Sequence, residues 1–167
     1  MKHISACSKK PVPSREYVDL SELYPLIAEV IEKGGNFRFY PRGESMEPLL
    51  HAGRDSIVLS AVDSIEEGDV LFYRRENGAF VLHRLIEKRG NTYTMCGDHQ
   101  FGLEFGVKRE QILAKMTGYY TEEEYHSLDT EEYKEYTKER IGRFPFYRRN
   151  PKIYAFLKKV KKLIKRG

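Results

Sequence analysis

The chain has 167 residues and a mass of 19.6 kDa, the size of one domain with at most short appendages, large enough to bury about two-thirds of its unfolded surface. A hydrophobic share of 40%, a charged share of 32%, 12 Tyr and 9 Phe exclude wholesale disorder. The longest run without a charged residue is the eight residues 90–97, against ~18 apolar residues for a spanning helix. Cys7 and Cys96 are too few for a disulfide framework or a zinc site. The net charge of +4 hides a division: residues 148–167 hold nine Lys and Arg and no acid, so taking +9 from +4 leaves −5 on the rest. Residues 121–137 carry seven acids and one Lys. Such blocks mark segment boundaries.

In chain order, a polar, Pro-containing leader without the apolar core of a secretory signal precedes a helix over residues 18–35. Asp19 or Ser21 can cap it, Leu23, Leu26, Ile27, Val30 and Ile31 recur at helical spacing, and Gly34-Gly35 ends it. From Asn36 the apolar period becomes two, with Phe37 and Phe39 alternating against Asn36, Arg38 and Tyr40. Strands are further predicted over residues 56–62, 70–74, 80–86, 92–96 and 112–119, with Gly, Asn or Asp at most joints. The acidic run that follows reads as helix or as solvated chain, broken by Gly142 and Pro145. Asn150-Pro151 then opens a last helix whose stripe is Ile153, Phe156, Leu157, Val160, Leu163 and Ile164. The predicted fold class is mainly β with an N-terminal helix and C-terminal helical appendages. The predicted units are a leader and helix (1–35), a β domain (36–120), and an acidic segment with a basic amphipathic helix (121–167).

The densest cluster of special residues is Gly43-Glu44-Ser45-Met46-Glu47-Pro48. A serine on the turn leaving an aromatic strand, bracketed by Gly and Pro, has a tightly specified backbone and an accessible hydroxyl. An ordinary β-turn is the alternative. Serine is a poor nucleophile at neutral pH, so a catalytic role requires a base and oxyanion donors.

Four segments read together supply a partner: RGESMEPLL, EGDVLFY, FVLHRLIEKRG and CGDHQ. In order and approximate spacing they resemble the boxes of the signal peptidase I and LexA-type serine peptidases, over residues 37–120, about half of the chain. The resemblance implies the LexA/signal-peptidase-like β fold and makes Ser45 the nucleophile. It puts His83, followed by Arg84, where the bacterial and LexA-type members carry a lysine base; histidine there is similar to the archaeal and endoplasmic-reticulum signal peptidases. It makes Asp98 of the Gly97-Asp98 pair the group that orients His83. Histidine is poised near pH ~6.5 and needs orientation more than desolvation. A packed strand histidine and a plain Gly-Asp hairpin turn are the competing readings of His83 and Asp98.

Many signal peptidases place a hydroxyl two residues before the nucleophile. Here that residue is Gly43, as in the LexA-type pattern, so backbone donors must serve as the oxyanion hole. The strand at residues 36–41 would take an extended substrate along its edge, with Phe39 and Tyr40 walling the cleft and Gly43 and Met46 beside the nucleophile. Asp69 reads as structural, and Lys88 and Lys115, the only rival bases, as solvent-facing. His51, His99 and His126 have no metal spacing, and no metal or cofactor is expected.

The expectation is thus a Ser-His serine endopeptidase that hydrolyses a peptide bond in a precursor protein or peptide. A cytoplasmic location is expected, with the basic stripe over residues 151–166 contacting an anionic membrane surface. No specific nucleic-acid partner is expected, since no helix-turn-helix precedes the β region. Two other readings stand beside it: a non-catalytic peptide-binding module, which needs neither Ser45 nor His83, and a membrane-surface adaptor, which depends on the tail.

Overall fold

The protein is described by a computed structural model over residues 19–149, of which 145–149 by backbone only, and at Phe156, Lys159 and Val160. The chain begins with α1 (Leu20–Glu32), capped by Asp19, whose carboxylate accepts the Ser21 N–H at 2.7 Å. Gly34, at φ +76°, turns the chain out of the helix. The buried side of α1 is Leu20, Leu23, Tyr24, Ile27 and Ile31; Leu26, expected on the same stripe, is half exposed.

Eight strands follow: β1 (Phe37–Phe39), β2 (Ser56–Ser60), β3 (Val70–Arg74), β4 (Phe80–Arg89), β5 (Thr92–Cys96), β6 (Glu104–Lys108), β7 (Ile112–Thr121) and β8 (Glu124–Ser127). All pair antiparallel in one sheet of order β1-β2-β7-β3-β4-β5-β6, with β8 a further partner of β7. Strand β7 organises the sheet. One edge pairs with β2 from Lys115 to Tyr120, while the other serves β3 near Ile112 and then β8 from Gly118. The protein is therefore mainly β, with helices before and after the sheet.

Strand β3 shows why the middle of the chain is so apolar. Val70, Leu71, Phe72 and Tyr73 are all buried, because both faces of this central strand are covered. Phe72 joins Ile27, Met46, Leu50, Ile57 and Met116 on one face, under α1. Leu71 and Tyr73 join Leu85, Tyr93, Met95 and Val107 on the other.

The second helix, α2 (Glu131–Arg149), corrects the expectation that Gly142 and Pro145 would break the acidic segment. Thr130 starts it by accepting the Tyr133 N–H at 3.2 Å. The helix runs past Gly142 because Phe144 is buried against Ile86 and Cys96, and such packing outweighs the ~1 kcal/mol of a helical glycine. It also lies over Gly68, where a Cβ would meet Thr137 Cγ2 at 2.6 Å. Strands β6 and β8 were not expected from the pattern. The sheet runs past residue 120 through β8.

Among the described residues no helix is long and apolar enough to cross a membrane. The basic stripe expected over residues 151–166 lies outside the described residues apart from Phe156, Lys159 and Val160. These three are helical, with Phe156 exposed and Val160 partly buried.

Candidate active site

The turn that carries Ser45 links β1 to β2. Gly43 adopts φ +83°, a conformation glycine takes at no steric cost, and Met46 and Leu50 on the far side of Ser45 are plugged into the core. Ser45 is left partly exposed between a free-turning glycine and two buried anchors. The end of β5 holds it from the other side. The His99 N–H donates to the Ser45 carbonyl at 2.9 Å, and the Gln100 N–H to the Gly97 carbonyl at 2.8 Å. Sequence proximity alone linked His99 to the site; its backbone, not its ring, makes this contact.

His83 sits in the middle of β4, opposite Leu71 of β3, and is 4% exposed. It lines, together with Ser45, a half-open cavity of about 250 Å³ also bordered by Pro41, Arg42, Arg75 and Gln100. A larger groove of about 1020 Å³, walled by Leu20, Leu23, Phe39, Tyr40 and Ala79, adjoins it across Arg42, Gly43 and Phe80. Two residues 38 apart in sequence thus share one cavity. Among the described residues no hydrogen bond joins the Ser45 hydroxyl to His83. Catalytic contacts are often long before substrate is bound.

Burial pushes the His83 imidazole down to about 4, and the Arg75 guanidinium adds to the effect, against opposing contributions from Glu104 and Asp98. The ring is therefore uncharged at neutral pH. Its Nδ1 lies 3.2 Å from the Tyr73 hydroxyl. Tyr73 donates to Glu104 Oε2 at 2.7 Å, and Arg75 grips the same carboxylate through Nε at 2.8 Å and Nη2 at 2.6 Å. Arg75 first, and then the Tyr73 hydroxyl, hold the Glu104 carboxyl below its ordinary range even though burial opposes them. Burial and Glu104 push the Tyr73 phenol well up.

The structure corrects the orienting contact expected from Asp98. Its carboxylate is gripped by Arg84 through Nε at 2.8 Å and Nη2 at 2.7 Å, and it accepts the Tyr136 hydroxyl at 3.0 Å. Arg84 spends its other nitrogen on the Gly68 carbonyl at 2.8 Å and on the Tyr133 and Thr137 hydroxyls of α2. Both side chains of the pair are almost wholly buried. The reason is strand alternation: His83 and Arg84 are consecutive and point to opposite faces. A carboxylate that pairs with Arg84 under α2 is on the wrong side for His83. Asp98 acts on the imidazole through space only.

Tyr73, Arg75 and Glu104 are the neighbours of His83 that the sequence did not disclose. Phe39 and Tyr40 do wall the larger groove, Gly43 borders both spaces, and Met46 lines the smaller one from the core. Tyr40 also donates to Glu123 at 3.1 Å. Lys88 is exposed and reaches the Ile65 carbonyl. Lys115 is not simply solvent-facing but partly buried in an ion pair with Asp69 at 2.9 Å, and Asp69 also accepts the Glu66 N–H. Neither lysine lines the Ser45 cavity. His51 contacts Arg54, and His126 stacks on Tyr119. Among the described residues no three His, Cys, Asp or Glu side chains are gathered as metal ligands.

Compared with family models and with curated proteins, the chain matches none.

Proposed function

We propose that the protein is a serine peptidase of the signal-peptidase and LexA type that cleaves an extended precursor protein or peptide. The observation that carries this reading is the shared cavity: Ser45, on a turn anchored by Met46 and Leu50, faces the same small space as the uncharged, buried His83, at the end of a substrate-sized groove. The sequence resemblance assigned the same two residues from their motifs.

In this reading the Ser45 hydroxyl attacks the scissile carbonyl carbon and its proton passes to the ring nitrogen of His83 on the cavity side. The tetrahedral oxyanion is met by backbone N–H groups of the Ser45 turn, since Gly43 offers no side-chain donor. Collapse breaks the C–N bond, and the departing amine takes the proton from His83. Water then attacks the acyl-enzyme, gives its proton to His83, and Ser45 is released with that proton. An imidazole near 4 is a weak base in the empty site; the developing oxyanion beside it raises its basicity where the reaction needs it. Strand β1 ends the sheet order, so a substrate strand can add along its outer edge, with side chains reaching the groove formed with α1.

Treating wild type, Ser45→Ala and His83→Ala with a fluorophosphonate and a mixed peptide substrate tests this. Expected are an adduct mapped to Ser45 and cleavage lost in both variants. Cleavage unchanged in Ser45→Ala would falsify the reading, and a wild type with neither adduct nor cleavage would leave a peptide-binding module.

A further inference from the structure

We propose that Tyr73 and Glu104 are positioning residues that hold the His83 imidazole with its proton on Nδ1 and leave Nε2 free as an acceptor. The inference rests on the peptidase reading only for its last step, in which Nε2 receives the Ser45 proton.

The assignment follows from counting protons. Glu104 is gripped by both Arg75 contacts, so it is ionised and can only accept. The single Tyr73 proton points at Glu104 Oε2, 2.7 Å away. What the phenol then offers His83 Nδ1, at 3.2 Å, is a lone pair. The donor across that gap is therefore the imidazole Nδ1–H. A neutral imidazole carries one N–H, so Nε2 is left unprotonated. Turning the Tyr73 proton toward His83 would instead forfeit a bond to a charged carboxylate, roughly twice as strong as a neutral one.

The chain is built from three strands: Tyr73 from β3, His83 from β4 and Glu104 from β6, with Arg75 just beyond β3. Tyr73 is fully buried, so its orientation is not averaged by water. The charged groups acting on His83 are Arg75, Glu104 and Asp98, and Asp98 is turned to Arg84. The negative end of the network thus reaches the ring through the Tyr73 oxygen. No proton travels along it. The only one that moves is exchanged between Ser45 Oγ and Nε2.

Long-range proton–nitrogen correlation spectra of the full-length protein with labelled histidines read the tautomer directly at pH 7, with His83→Gln assigning the signal among five histidines. Expected is a protonated Nδ1 and an unprotonated Nε2 in wild type, and a several-fold shift of population toward Nε2–H in Tyr73→Phe. Glu104→Gln should shift it part of the way, because a glutamine can either accept or donate. Glu104 is partly exposed, so this variant carries the test even if Tyr73→Phe does not fold. With a cleaved peptide, Tyr73→Phe should lower kcat about tenfold at unchanged KM, the loss of roughly one hydrogen bond of orientation. A wild-type proton on Nε2, or a tautomer unmoved in the variants, overturns the proposal. The tautomer needs no substrate: Nδ1–H without Ser45-dependent cleavage upholds the positioning role and overturns the peptidase reading.

Discussion

Gly97 lies so close to Ser45 that a Cβ placed on it would stand 2.4 Å from the Ser45 carbonyl oxygen and 3.0 Å from the Ser45 Cβ. The glycine is there for close approach of two backbones. The end of β5 can then press on the serine turn while the His99 N–H holds its carbonyl.

Gly97→Ala should therefore act on Ser45 first. The contact is with backbone, which cannot rotate away, so the turn must move. An overpacked site of this kind costs ~1–3 kcal/mol, read by urea unfolding. The folded variant should label poorly at Ser45 with a fluorophosphonate. Wild-type labelling in Gly97→Ala would mean that the two segments are not coupled.

The Arg84–Asp98 pair should matter for stability more than for chemistry. Asp98→Asn leaves the buried Arg84 charge poorly compensated and should destabilise the fold by ~3–5 kcal/mol. Replacing both, as Arg84→Met with Asp98→Leu, should recover much of the loss. In whatever fraction folds, cleavage should persist, since His83 is oriented from the other face, and the acid limb should move only slightly downward as the through-space contribution of Asp98 is lost. Cleavage abolished in folded Asp98→Asn would return Asp98 to the catalytic group.

His83 should make the protein less stable in acid. Its pKa falls from 6.5 in the unfolded chain to about 4 in the fold, so between these values the unfolded state binds more protons. Stability is full above pH ~6.5 and declines as pH falls through about 4, by at most ~3 kcal/mol from this group. His83→Gln should flatten that part of the profile in denaturant titrations. The kcat/KM of the free enzyme should likewise fall with a midpoint near pH 4. A limb still rising above pH 8 would indicate a lysine base.

The turn between β7 and β8 offers a stabilising change. Glu122 and Glu123 adopt φ of 50° and 70°, a region that non-glycine residues enter at a cost. The Glu123 carboxylate accepts from Arg38 at 2.8 Å and from Tyr40, tying the turn to β1. Glu122→Asn should raise stability by ~0.5–1 kcal/mol, visible as a higher thermal midpoint. Glu123→Gly should gain less, because it gives up the Arg38 and Tyr40 contacts.

Some of this architecture was legible residue by residue. Strands β3 and β5 fall where the apolar runs placed them, and Asp19 caps α1 as its side chain allows. Their signals are local: a short polar side chain at a helix start, β-rich runs between turn residues. Strands β6 and β8 escaped because Glu104–Lys108 holds Gly106 at φ +78° between charged residues, and Glu124–Ser127 lies inside an acidic run. Neither strand has a pattern of its own; each forms because a neighbour offers an edge. The passage of α2 through Gly142 was hidden for the same reason, since its support is Phe144 meeting Ile86 and Cys96.

The candidate site divides along the same line. Ser45 and His83 were candidates from the chain alone, Ser45 on a turn bracketed by Gly and Pro and His83 through the resemblance that its motif carries. Which carboxylate serves which partner was decided by the sheet. Consecutive residues of β4 face opposite ways, sending Arg84 to Asp98 beneath α2 and His83 toward Tyr73 and Glu104. Tyr73 and Glu104 are 31 positions apart and meet only through the order β3-β4-β5-β6 and its bulged register. Strand order and register are set by the packing of two cores on opposite faces, and no window of sequence contains both.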